Sequence, residues 1–151
     1  MAATGNFVRQ GLIRGDGRIV EPADGSSPLS FDIPDGNYFV VVKHRNHLGF
    51  RSAGTQSLVA SASATTVDFA TNLVPTLGAL KQISGVYCAF SGNANNTDPL
   101  SIDIVNSVDY SLWQTTRFQL GYKEADINLD GIVNSIDYNQ WQVNRFKTAQ
   151  Y

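Results

Sequence analysis

The chain has 151 residues, of which 42% are hydrophobic, and its formal net charge is −2. This charge balance excludes a basic nucleic-acid-binding face, and no apolar run reaches the roughly 18 residues that a membrane-spanning helix needs. A single cysteine, Cys88, excludes an intrachain disulfide.

The first half of the chain reads as short strands separated by turns, which is typical of an antiparallel β-sandwich. The predicted strands are 7–13, 17–20, 29–33, 37–44, 47–51, 57–62 and 65–69. Residues 14–17, with two glycines, predict a tight turn between the first two strands. Residues 37–44 are apolar on both faces, which predicts a central strand covered on both sides.

A change in composition near residue 75 divides the chain into two predicted parts. Residues 72–78 read as a linker, since they contain Pro75 and Gly78, and a short turn or helix at 79–83 and a strand at 86–90 follow. The predicted fold is therefore β-rich: an Ig-like antiparallel β-sandwich over residues 1–75, and a small α-helical module of loop–helix repeats over 76–151. We expect the two parts to pack into one unit.

The second part contains an internal repeat. Residues 104–118 match residues 132–146 at 10 of 15 positions with an offset of 28. Such duplication predicts two copies of one supersecondary unit packed on each other, each with a helix that begins near Asn106 or Asn134. Trp113 and Trp141 are predicted core residues. The predicted buried stripes are Val105, Val108, Leu112 and Thr115 in the first helix, and Val133, Ile136, Gln140 and Val143 in the second.

A run of oxygen-bearing residues precedes the second helix and predicts a calcium site. Calcium takes about six to eight oxygen ligands, and side chains at loop positions 1, 3 and 5 converge when the chain curls around the ion. A glycine at position 6 allows the sharp turn, and here that residue is Gly131. The predicted ligands are Asp126, Asn128, Asp130, the carbonyl of Ile132, Asn134 and Asp137. Asp137 stands where the common calcium-loop pattern has a glutamate, so the shorter side chain predicts a different closing geometry.

Residues 126–146 resemble one repeat of a dockerin, whose loops lead directly into a helix without a preceding one. The resemblance implies a pair of such repeats, bound calcium and a cohesin-like protein partner. It also implies that partner contacts lie just after the ninth loop position. The corresponding residues are Ser107, Val108, Ser135 and Ile136. Their near duplication would permit binding in two related orientations.

The first repeat predicts a second, weaker calcium site. A gapless alignment places Leu100 and Ile102 at ligand positions, where neither side chain can ligate. With an insertion, Asn93 and Asn95 take positions 1 and 3, while Asn106 and Asp109 keep positions 9 and 12. Asp98 or Asp103 would then fill the gap left in the ligand set.

Residues 35–49 are similar to a segment common in C-terminal modules of secreted Bacteroidota proteins. The likeness implies an extracellular or cell-surface location and a bacterial source. It also implies one more strand upstream of Phe7, which is missing here or encoded differently. We expect the resulting open sheet edge to require a partner strand, which another copy of the chain could supply.

These features predict a non-catalytic protein that attaches to other proteins. The first hypothesis is a dockerin-like docking module with one calcium ion and a possible second. The alternative is a subunit of a self-assembling extracellular filament or surface layer, held by strand complementation. A third hypothesis is an enzyme or a carbohydrate-binding accessory domain, in which the aromatic side chains would stack on sugars.

Overall fold

The computed structural model describes residues 6–60, 63–77, 80–95 and 102–150 of the chain. Within these ranges the protein is β-rich, with several small antiparallel sheets and two short helices. In chain order the strands are Leu12–Ile13 (β1), Ile19–Val20 (β2), Gly36–Tyr38 (β3), Val41–His44 (β4), His47–Ser52 (β5), Gln56–Leu58 (β6), Thr76–Leu77 (β7), Lys81–Ile83 (β8), Val86–Cys88 (β9), Ile102–Ile104 (β10) and Thr148–Gln150 (β11). The helices are Ser107–Thr116 (α1) and Ser135–Asn144 (α2).

The largest described sheet has three strands in the order β4–β5–β7. The other pairs are β1–β2, β3–β6, β8–β9 and β10–β11, all antiparallel. The β1–β2 pair is joined by the tight turn predicted at residues 14–17, where the amide of Gly17 donates to the carbonyl of Arg14 at 2.9 Å.

The predicted central strand at 37–44 is wrong, because β5 holds the middle of the three-stranded sheet and β4 pairs with β5 alone among the described strands. The run is divided into β3 and β4 at Val40, whose amide donates to the Oγ of Ser52 at 3.1 Å. One face of the run is exposed, and the guanidinium of Arg51 stacks over the exposed ring of Phe39 at 4.2 Å. On this face the contact that the structure gives to Phe39 is therefore with the side chain of Arg51, 12 positions later in the chain.

Other strands that were predicted from the local pattern of apolar residues alone are also wrong. Residues 29–33 and 65–69 form no strand. The predicted turn or helix near residues 79–83 contains β8, which pairs with β9 through a turn at Ser84 and Gly85. Both turn residues have positive φ, 49° and 86°, and such a turn suits the twist of a two-residue hairpin.

Both helices begin where the sequence predicts, directly after a capping asparagine. The side chain of Asn106 accepts from the amide of Val108, and Asn134 accepts from that of Ile136. An aspartate three residues after each asparagine bonds back to the capping amide. These reciprocal bonds satisfy backbone donors that a helix leaves unpaired at its start.

The two repeats exchange equivalent contacts. The indole Nε1 of Trp113 donates to the carbonyl of Asn134 at 2.7 Å, and the indole of Trp141 donates to the carbonyl of Asn106 at 2.8 Å. After each helix, a phenylalanine amide donates to a valine carbonyl of the other repeat: Phe118 to Val133 at 2.8 Å and Phe146 to Val105 at 2.7 Å. The module is therefore a pseudo-symmetric pair in which each helix holds the start of the other.

The tryptophans lie in the core as predicted, with Trp113 buried and Trp141 packed against a buried cluster. The predicted apolar stripes are largely wrong, because Val108, Ile136 and Val143 are exposed. Val105 and Val133 are fully buried but precede the helices, so a stripe counted from them with helical spacing points away from the core.

Strand β5 connects the two predicted parts of the chain. Its Ser52 pairs with Thr76, and the amide of Leu48 donates to the carbonyl of Phe90 at 2.8 Å. Leu48 also shares a buried cluster with Val105 and with Ala149 of β11. The helical module is therefore anchored on the same strand that centres the largest sheet. None of the helices found in the described ranges is long and apolar enough to span a membrane.

Candidate metal centre

The loop before α2 brings the side chains at its positions 1, 3 and 5 together. Oδ1 of Asp126 and Oδ1 of Asn128 both accept from the backbone amide of Asp130 at 3.1 Å, so these two oxygens converge on the same nitrogen. The other carboxylate oxygen of Asp126 accepts from the amide of Gly131 at 3.0 Å. The side-chain Nδ2 of Asn128 donates to Oδ2 of Asp130 at 2.8 Å, which completes the group.

Two left-handed residues produce the curl of this loop. Leu129 has φ 64° and Gly131 has φ 87°. A Cβ at Gly131 would meet no atom within 4 Å, so the requirement for glycine there is conformational rather than steric. Leu129 has a side chain, so its left-handed conformation costs conformational energy. This conformation holds Asn128 and Asp130 on the same side of the chain.

Asp137 closes the loop from inside the first turn of α2. Its side chain is fully buried, and Oδ1 accepts from the amides of Ile127 at 2.7 Å and Asn128 at 3.0 Å. Oδ2 accepts from the amide of Asn134 at 2.8 Å. This one carboxylate therefore ties the start of the loop to the start of the helix.

The remaining predicted ligands of the second loop lie at its end. Oδ1 of Asn134 caps α2 by accepting from the amide of Ile136 at 2.6 Å, and its Nδ2 lies 3.3 Å from the carbonyl oxygen of Ile132. The carbonyl at position 7 and the carboxamide at position 9 are thus in mutual contact.

The first loop repeats the closing contact. Oδ1 of Asp109 accepts from the amide of Asn95 at 2.7 Å, and Oδ2 accepts from that of Asn106 at 2.7 Å. These bonds correspond to those of Asp137 with Asn128 and Asn134, which is the correspondence that the alignment with an insertion gives. Burial raises the pKa of the Asp109 carboxyl, although the bonds from the backbone amides oppose the shift.

The first loop gathers fewer of its predicted ligands. Asn93, at position 1, is buried, and its Nδ2 has no hydrogen-bond partner among the described residues. Asp103 lies on β10, where Oδ2 accepts from the amide of Gly49 on β5 at 3.2 Å. Its Oδ1 has no partner in the part of the chain that the structure describes. The bond of Asp103 that the structure gives is thus to the largest sheet rather than to the loop. Asp98 lies outside the described residues.

The four predicted partner-binding residues, Ser107, Val108, Ser135 and Ile136, are exposed on the first turns of α1 and α2. They occupy equivalent places in the two repeats.

The β4–β5 turn contributes two residues that the sequence analysis did not single out. Arg45 and Asn46 both contact Asp126, the first position of the second loop, and Arg45 also donates to the carbonyl of Lys123 just before it. The two residues lie about 80 positions earlier in the chain. A polar pair in a turn is ordinary in sequence, so no local pattern identifies this contact.

No group of three or more histidine, cysteine, aspartate or glutamate side chains is placed to hold a metal ion in the part of the chain that the structure describes. The second loop instead combines carboxylates with carboxamides and one carbonyl. Comparison of the chain with family models, with curated proteins and with solved structures found no match.

Proposed function

We propose that this chain is a non-catalytic calcium-binding module of a secreted or cell-surface bacterial protein, and that it mediates protein–protein attachment in the manner of a dockerin. In this proposal residues 1–75 form an Ig-like sandwich and residues 76–151 carry the paired loop–helix repeats. The observation that carries the proposal is the convergence of the Asp126 and Asn128 side-chain oxygens in a loop closed by Asp137.

The donor set of the second loop fits a hard divalent cation. Calcium prefers carboxylate, carboxamide and carbonyl oxygens, and these are the groups that the loop offers. The oxygens of Asp126 each accept one backbone amide. Since a carboxylate oxygen has two lone pairs, each retains one for a metal ion. The first loop offers fewer charges, because Asp103 bonds to the amide of Gly49 in the largest sheet and Asp109 is the one described carboxylate that accepts from amides of the loop. This supports a second and weaker site.

Exposed residues at the starts of α1 and α2 support the attachment role. Val108 and Ile136 are each 51% exposed, although both are apolar and stand beside a serine. Apolar side chains next to hydroxyls can pack against a partner and also hydrogen-bond to it. Their equivalent places in the two repeats suit a cohesin-like partner that binds in either of two orientations.

The calcium proposal is tested by thermal unfolding with saturating calcium or with EGTA. Binding to the folded state alone stabilises it by about 2.7 kcal/mol when free calcium is 100 times Kd. We expect a higher melting temperature with calcium, and loss of that increase in Asp126→Ala. Asp16→Ala, in the exposed β1–β2 turn, makes the same charge change and should keep the increase. Equal melting temperatures of the unmodified protein in both buffers would refute calcium binding.

The attachment proposal is tested separately with purified cohesins and the calcium-loaded protein. Ile136→Glu should abolish binding while leaving the calcium titration unchanged, since Ile136 lies outside the ligand set. A protein that binds calcium but none of the cohesins refutes the docking role alone.

Exposed apolar residues near the start of the chain favour a second candidate function, self-assembly by strand complementation. Val8 is 84% exposed, Leu12 and Ile13 are also exposed, and β1 pairs with β2 alone among the described strands. An unpaired apolar edge is a template for a strand from another copy. Light scattering across a concentration series decides this candidate, because a monomer at millimolar concentration rules it out.

A further inference from the structure

The turn between β4 and β5 contacts both loops of the proposed metal centre. Asn46 is fully buried, and its Nδ2 donates to the carbonyl oxygen of Asp126 at 2.6 Å. Its own carbonyl accepts from the amide of Gly92 at 2.9 Å, directly before Asn93. Asp126 and Asn93 are the first positions of their loops, so one buried asparagine holds the start of each.

Arg45, the neighbouring residue, places a positive charge beside the first ligand of the second loop. Its Nη1 donates to the carbonyl of Lys123 at 2.8 Å, and its guanidinium carbon lies 3.6 Å from the ring centroid of Tyr122. These contacts fix the side chain so that Nη2 lies 3.9 Å from Oδ2 of Asp126. The side chains of Arg45 and Asp126 are only 16% and 3% exposed, so water screens their interaction weakly.

The two residues act on a bound cation in opposite directions. Asn46 fixes the backbone at position 1, which removes part of the ordering cost of binding. Arg45 neutralises the Asp126 carboxylate when no metal is bound and repels a divalent ion that binds to the same carboxylate. Arg45 has no side-chain oxygen, and the two oxygens of Asn46 contact Nδ1 of His47 at 2.8 Å and the amide of Gly92 at 2.9 Å. Both residues therefore act on the second loop through Asp126.

We infer that the Arg45–Asn46 turn sets the calcium affinity of the second loop, with Arg45 weakening binding and Asn46 strengthening it. This inference rests on the proposed calcium binding. It makes the first half of the chain a determinant of the metal centre rather than a separate domain beside it. Movement of the β4–β5 turn would therefore alter calcium affinity without any change in the ligands.

The test is calorimetric titration of the whole chain with calcium chloride. Arg45→Met keeps a long apolar side chain over Tyr122 and removes the charge, so we expect binding about three- to tenfold tighter, from the repulsion lost in a partly screened site. Arg45→Lys retains the charge and should bind as the unmodified protein does. Arg18→Met removes one charge from the exposed β1–β2 turn and should change the affinity by less than about twofold, because the distant charge is screened.

Asn46→Ala should bind calcium more weakly, the opposite of Arg45→Met. Equal or tighter binding by Asn46→Ala overturns the part of the inference that concerns Asn46. If Asn46→Ala does not fold, the three arginine variants decide the part that concerns Arg45. Calcium binding by the unmodified protein, with equal or weaker binding by Arg45→Met, overturns the inference and leaves the proposed function intact. Absence of binding by the unmodified protein overturns both.

Discussion

Asp137 makes a contribution to stability that does not depend on metal, and replacing it with asparagine isolates that contribution. Its carboxylate accepts three backbone amides inside a fully buried site. A carboxamide has one acceptor oxygen, so Asp137→Asn retains the bonds from Ile127 and Asn128 at best. Its NH₂ group then faces the amide of Asn134, which is also a donor.

The magnitude follows from that single mismatch. A hydrogen bond to a charged acceptor contributes about 1.5–3 kcal/mol, and a buried donor left unsatisfied costs about 1–3 kcal/mol. These terms overlap, so we expect Asp137→Asn to lower the free energy of unfolding by about 2–4 kcal/mol. Asp130→Asn is the matched control, because it makes the same chemical change at an exposed carboxylate whose oxygen can still accept from Ile132.

The assay is urea unfolding in excess EGTA, followed by tryptophan fluorescence, since both tryptophans lie in the helical module. The chelator removes any calcium contribution, so the comparison reports the backbone contacts alone. A difference below about 1 kcal/mol between the two variants would show that the buried bonds do not stabilise the loop as argued.

Two further predictions concern a residue with positive φ and a half-buried histidine. Phe118→Gly should raise the free energy of unfolding by about 0.5 kcal/mol, because Phe118 has φ 69° and its ring is 74% exposed. The energy gained by relieving the left-handed strain exceeds the energy lost with the contact to Arg117. A lower urea midpoint of the variant would contradict this. Burial lowers the pKa of His47 to about 4 from 6.5, so the unfolded chain binds more protons between these values and stability falls as the pH drops from 6.5 to 4. The loss is at most about 3 kcal/mol, and His47→Gln should show a smaller fall in urea midpoint over that window; equal falls would refute this role of His47.

Local signals predicted the helical module well. An asparagine followed three residues later by an aspartate supplies both bonds of a capping box, so Asn106 and Asn134 determine where the helices begin. The indole bonds between repeats were not predictable in detail, but the duplication itself indicated that the copies pack together. The helical stripes placed Val108 and Ile136 in the core because they were counted from residues outside the helices, whereas the resemblance to a dockerin implied exposed partner contacts at the same positions.

The β-rich half was predicted poorly because distant residues determine its pairing. The predicted strand at 37–44 is interrupted at Val40, whose amide donates to the Oγ of Ser52. The exposed ring of Phe39 stacks against the guanidinium of Arg51. The alternation of apolar residues in the sequence predicts neither of these contacts. The contacts of Arg45 and Asn46 with the second loop are longer in range still, and no pattern within a window of the sequence could identify them.

In each loop, the carboxylate that holds the backbone in shape is a different residue from the carboxylates that would attract a metal ion. Asp109 and Asp137 perform the same scaffold task, since each ties loop amides to the capping asparagine of its helix. The second loop adds Asp126 and Asp130, whereas the first has asparagines at positions 1 and 3, and its other described carboxylate, Asp103, bonds to Gly49 of β5. Because the attraction of a divalent ion grows with the number of nearby carboxylates, the second loop binds first under the proposed function. The first loop can then keep its shape through Asp109 whether or not an ion binds there.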